Sequence, residues 1–238
     1  MRKSFYILIC VISWYNATAY GQSNAACTDI LRAAYDEFRT PTGEGYALSY
    51  IMKTTVVDGS VTAENIALKF YNGKSLVKTN STTIYQDSET MVAIDHERKS
   101  IFITRAMDQN VLQQQFGQST LLQDSLLDNS HHISCNNTAN NKNEWQITLS
   151  DQNKMITDLG LSSMTYWIDR KVSRINKISA VYLPDNSMMK SVEVSFGQVD
   201  KSYQEEVFAG AALKLVYTEE EHVRLAFSQY KIINNLKQ

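Results

Sequence analysis

The strongest constraint on how this chain can fold is a period-two alternation of apolar and polar residues, repeated segment after segment with tight turns between. Tyr46, Leu48, Tyr50 and Met52 alternate with Ala47, Ser49, Ile51 and Lys53, and the turn dipeptide Asp58-Gly59 follows. Ile66, Leu68 and Phe70 alternate next and stop at Asn72-Gly73. Short strands hold Leu76-Val77 and Ile84-Tyr85, and residues 91–95 and 100–104 read as a hairpin around His96-Glu97-Arg98-Lys99. Further on, Trp145, Ile147 and Leu149 alternate, then Met164, Tyr166 and Ile168, then Ile178, Ala180 and Tyr182, then Val192, Val194 and Phe196. Asp169-Arg170-Lys171 and Pro184-Asp185-Asn186 supply the connecting turns. Alternate side chains of a strand share one face, and strands joined by short turns pair antiparallel. The expectation is about nine to eleven strands in an antiparallel meander.

Three stretches depart from this period. Leu31, Ala34, Tyr35 and Phe38 recur at helical spacing, which predicts a helix over 28–38, capped by Thr28 or Asn24, with Pro41 beyond its end. Val111, Leu112, Phe116, Leu121, Leu122, Leu126 and Leu127 predict two short helices, or one broken at Gly117, within 109–128. Residues 136–143 carry five Asn and read as a solvent loop. In the tail, 211–217 reads as a strand and 224–236 as a helix rather than a final strand.

The N-terminus joins a basic Arg2-Lys3, an apolar run ending near Trp14, and a polar stretch with small residues. A helix of about eleven residues rises about 17 Å, short of the roughly 30 Å hydrocarbon core, so the pattern fits a cleaved signal peptide better than an anchor. Cleavage after Gly21 or Ala19 leaves a periplasmic or secreted chain. Lipid anchoring at Cys27 is disfavoured, because Asn24 stands where a lipobox wants Leu. Without Arg2 and Lys3 the net charge is about −4, and no basic patch invites nucleic acid. Cys27 and Cys135 then remain, and an oxidising compartment would permit one disulfide closing a loop of about 110 residues. The alternative is two buried thiols, which sequence spacing does not exclude.

No motif for chemistry emerges. There is no G-x-S-x-G elbow, Gly-rich phosphate loop, H-E-x-x-H or C-x-x-C, so neither a catalytic residue nor a metal or cofactor site is expected. His131 and His132 point to opposite faces of a strand and cannot readily share a metal site with Cys135. His96 belongs to a hairpin turn. Glu219-Glu220-Glu221-His222 reads as an acidic helix start. Asp169, Arg170, Lys171 and Arg174 form a charged hairpin tip, ordinarily a solvated one, alternatively a dock for an acidic partner or anionic lipid head groups.

The stretches ALSYIMKTTVVDG with FYNGKSLVK, SETMVAIDHERKSIFITR, and MTYWIDRKVSRINKISAVY through VEVSFGQV resemble the LolA/LolB-like periplasmic lipoprotein carriers. The resemblance spans roughly Asp29 to Asp200. It implies an α+β, mainly antiparallel fold: a curved sheet or incomplete β-barrel, with a leading helix and lid helices in mid-sequence. It divides the chain into a signal peptide (1–21), a half-barrel domain (22–200) and a C-terminal extension of that domain (201–238). It does not place the Arg that locks the lid in these carriers. It further implies a monomeric, non-catalytic carrier or chaperone for a lipidated protein or other apolar ligand, with an envelope protein as a second partner. The apolar lining would fall to Tyr46, Leu48, Tyr50, Met52, Ile66, Leu68, Phe70, Met164, Tyr166 and Ile168. The competing expectation is a filled sheet in a structural or interaction protein.

Overall fold

The computed structural model describes residues 24–37, 45–107, 133–138, 141–150 and 154–236. The expected signal peptide, the helical stretch 109–128 and His131-His132 lie outside the described residues. Helix α1 (Asn24–Asp36) is followed by six strands: β1 (Tyr46–Val56), β2 (Val61–Tyr71), β3 (Lys74–Lys78), β4 (Thr82–Gln86), β5 (Thr90–Asp95) and β6 (Ser100–Arg105). Then come β7 (Ile133–Thr138), β8 (Asn141–Ser150), the short helix α2 (Lys154–Asp158), β9 (Leu161–Asp169), β10 (Arg174–Tyr182) and β11 (Met189–Asp200). The tail carries two 3₁₀ turns (Ala212–Leu215 and Leu225–Phe227) and ends in β12 (Lys231–Asn234).

All these strands form one open, curved sheet in the order β12-β6-β5-β4-β3-β2-β1-β11-β10-β9-β8-β7. Neighbours are antiparallel except β12, which runs parallel to β6. The turns explain the register. Asn72 and Gly73 both take positive φ, as the two-residue turn between twisted strands requires. The β5–β6 and β9–β10 turns share one device. An Asp ends the strand, Asp95 or Asp169, and its carboxylate accepts turn amides: Arg98 N at 2.8 Å, and Lys171 N at 2.7 Å. Gly197 sits at a β1–β11 register shift, where a Cβ would come within 2.6 Å of Ser49 Oγ.

The two halves of the sheet bury opposite faces. On one face, α1 packs Cys27, Leu31, Ala34 and Tyr35 against Cys135, Ile147, Leu149, Tyr166, Ile168 and Ile175 of β7–β10. Cys27 and Cys135 are disulfide-bonded, with Cα atoms 5.8 Å apart. On the other face, the tail lays Tyr203, Val207, Phe208, Ala212 and Val216 over Val92, Ile94, Ile101 and Ile103 of β5–β6. We call these the helix face and the tail face. The tail is tied down by polar contacts as well. Asp87 Oδ2 accepts from Ala212 N at 2.7 Å, and Lys74 Nζ donates to Phe208 O at 2.8 Å and pairs with Glu206.

Three expectations are corrected. Most of the Asn-rich stretch 136–143 is strand, because each residue of Asn136–Asn137 pairs with β8, whose Trp145, Ile147 and Leu149 anchor the ladder. The tail holds no α-helix over 224–236: Leu225–Phe227 is a single 3₁₀ turn, and 231–234 pairs with an edge strand far away in sequence. Residues 211–217 form a 3₁₀ turn rather than a strand, and the acidic run Glu219–Glu221 lies in the loop after it, tied by a Lys214–Glu219 ion pair.

Candidate functional site

Cross-strand pairing decides which side chains share the helix face. Leu48 opposes Leu68, Leu68 opposes Val77, Val77 opposes Ile84, Ile84 opposes Ala93, and Ala93 opposes Phe102. Directly opposed residues point to the same side of a sheet, so this is one apolar row running from β1 to β6. Beside it runs a second row: Tyr46, Phe70, Ser75, Gln86, Met91 and Thr104. Tyr50 opposes Ile66, and its ring lies 6.0 Å from Phe196.

The expected lining residues therefore divide. Tyr46, Leu48, Tyr50, Met52, Ile66, Leu68 and Phe70 gather in one cluster at the centre of the helix face. Met164, Tyr166 and Ile168 lie on the same face in the part that α1 covers, Tyr166 and Ile168 within the buried core and Met164 half-buried against it. Tyr166 is 1% exposed, its ring meets Tyr35 edge-on at 5.7 Å, and its hydroxyl donates to Met164 Sδ. Burial pushes the Tyr166 phenol up to about 12.

Exposure grades along the row. Leu48 and Leu68 are buried, Val77, Ile84 and Ala93 are half-buried, and Phe102 is 40% exposed; beside the row Ile66 is buried and Met91 half-buried. The face also stays low in charge. Burial raises the Tyr46 phenol to about 12, and burial followed by the Glu64 carboxylate raises Tyr50. Gln86 is buried on this face with its amide satisfied, donating to Met107 O at 3.1 Å and accepting from Met107 N at 3.3 Å. Val77, Ile84, Met91, Ala93 and Phe102 extend the site beyond the residues nominated from sequence. The signal was present in the hairpin register, but M-V-A-I and I-F-I are apolar on both alternations, so the sequence could not say which set faces where.

Such a surface offers dispersion and hydrophobic contact with adaptable Met and aromatic side chains. Among the described residues no group of three or more His, Cys, Asp or Glu is placed to hold a metal. The His96 ring lies 2.9 Å from Thr83 Oγ1 and 3.3 Å from Tyr230 Oη, a contact between the β5–β6 turn and the tail.

No protein-family model matches the sequence, and no curated protein matches it. The structural neighbours include a LolA superfamily protein from Nitrosomonas europaea, 8% identical, with a TM-score of 0.29 over 76% of this chain and 94% of that one. They include an outer membrane lipoprotein-sorting protein domain from Vibrio parahaemolyticus, 9% identical, TM-score 0.32, over 76% and 95%. A third is the Pseudomonas aeruginosa MucA/MucB complex, 10% identical, TM-score 0.36, over 78% of this chain and 61% of the matched chain. At such scores and identities the comparisons assign no activity, ligand or partner to this chain.

Proposed function

We propose that this chain is an exported binding protein that takes up acyl chains or a similar apolar ligand on the helix face of β1–β6, with no covalent step. The observation that carries the reading is the unbroken row from Leu48 to the 40%-exposed Phe102, on the face of β3–β6 that the tail does not cover. Acyl chains laid on this row would leave water at about 0.8 kcal/mol per buried CH₂, so partial burial of a few chains holds a client reversibly. A lipidated protein is the client class this favours, with an envelope protein as the partner that hands it on or receives it. The N-terminal basic–apolar–small pattern and the Cys27–Cys135 bond both support an oxidising compartment outside the cytosol, the periplasm in the first instance.

The test is titration with a fluorescent acyl probe, followed by displacement with a lipopeptide. Saturable, displaceable binding is expected, and Phe102→Asp and Met91→Asp should each weaken it at least tenfold. Val181→Asp, on the tail face of β10, should leave it unchanged. Absence of saturable binding rejects the reading in favour of a filled sheet that works through its surface.

A further inference from the structure

The β9–β10 tip carries three cations within five residues: Arg170, Lys171 and Arg174. Arg170 and Lys171 are exposed, Val172 between them and Arg174 is 57% exposed, and Ser173 takes a positive φ that finishes the turn. The tip is firmly built. Asp169 Oδ1 accepts from Lys171 N and from Val172 N, Arg170 N donates to Asn143 O at 2.9 Å, and the Arg170 guanidinium lies 4.0 Å over the Trp145 ring. Arg174 opposes Asp169 across the ladder but makes no ion pair with it, and its buried Nε has no hydrogen-bond partner.

We propose that this tip docks the protein on an anionic phospholipid surface. An exposed aliphatic apex in a turn that carries Arg170, Lys171 and Arg174 is complementary to a negatively charged head-group layer with hydrocarbon beneath it. A second tip with an exposed valine supplies the contrast. Val57, also 57% exposed, stands beside Asp58 at the β1–β2 turn, and no cation flanks it within that turn. Position in the fold agrees. β1 and β10 both pair antiparallel with β11, so they run parallel, and the N-terminal ends of both, Tyr46 and Arg174, lie at one end of the sheet. The tip therefore belongs to the end at which the Tyr46–Leu48 part of the apolar row begins. At its summit the tip offers Val172 and no aromatic, whereas protein hot spots are enriched in Trp and Tyr.

The inference goes beyond the ligand-binding reading and does not depend on it. The purified protein is floated with vesicles of phosphatidylcholine alone or with one-third phosphatidylglycerol. Binding should be at least tenfold stronger to the phosphatidylglycerol vesicles and should collapse as salt approaches 1 M, where screening acts over only about 3 Å. Lys171→Ala should weaken it about fivefold and Lys171→Glu roughly twentyfold. Val57→Asp should not change it, and acyl-probe binding in solution should be unaltered in every tip variant. Equal binding to both vesicle types, or a Lys171→Glu protein that binds as the parent does, overturns the proposal. So does salt-sensitive binding to immobilised polyglutamate without binding to vesicles, which assigns the tip to an acidic protein.

Discussion

The β7–β10 half of the sheet and the β3–β6 half solve the same problem in opposite ways. Each has one face apolar enough to need cover. In the first, the cover is an amphipathic helix from the start of the chain, riveted by the Cys27–Cys135 bond. In the second it is an irregular tail from the end of the chain, applied to the other side and held by Lys74, Asp87 and a parallel edge strand. The lesson concerns the middle. Because the covers lie on opposite faces, the apolar row of the helix face continues past α1 into β3–β6, where neither α1 nor the tail lies over it. The candidate site is what this exchange of sides leaves.

Four perturbations separate the halves, in falling order of effect on stability. Replacing Cys27 and Cys135 by Ser removes a cross-link over 108 residues, for which chain entropy gives about 4–5 kcal/mol. The urea midpoint should fall sharply, with hydrogen-exchange protection lost first in α1. A matched pair of cavities comes next. Ile147→Ala and Ile101→Ala, both at fully buried positions, should each cost about 2–5 kcal/mol. Only Ile101→Ala should expose the 203–216 segment to limited proteolysis, and cleavage there in both variants would show that the halves are a single unit.

Asp87 gives a smaller, pH-dependent effect. Its hydrogen bonds from Ala212, Glu89 and Thr90, with Lys74 nearby, outweigh the cost of its burial and lower its pKa. A carboxylate depressed in the folded state contributes stability above its ordinary range, near pH 4, and loses it as pH falls through the folded value. Asp87→Asn should cost about 1–2 kcal/mol at pH 7, measured by urea unfolding, and the difference from the parent should shrink toward pH 3. The smallest effect is expected for Phe102→Ser, within about 1 kcal/mol, since the side chain is already half in water. That variant isolates the open end of the apolar row, because it should spare both cores yet weaken acyl-probe binding.

Much of this architecture was legible in the residues. Asp58-Gly59 and Asn72-Gly73 named their turns, and the alternation of Tyr46–Met52, Ile66–Phe70 and Met164–Ile168 named strands and a shared face. What was not legible has physical reasons. Around Val92 and Phe102 both alternations are apolar, so the pattern marks a strand without choosing its buried side. Tyr166 and Leu48 look equivalent in sequence, yet one lies beneath α1 and the other does not, and only long-range packing makes that distinction. Asn136 and Asn137 have poor strand propensity, but β8 supplies the ladder that overrides it. Ile232–Asn234 found its partner across about 130 residues, beyond the reach of any local rule.

The pairing of β12 with β6 sets a timetable. A ribosome makes Val92, Ile94, Ile101 and Ile103 about a hundred residues before Tyr203, Val207, Phe208, Ala212 and Val216, the side chains that shield them. On the growing chain the apolar side of β5–β6 stays open until that later segment has been made.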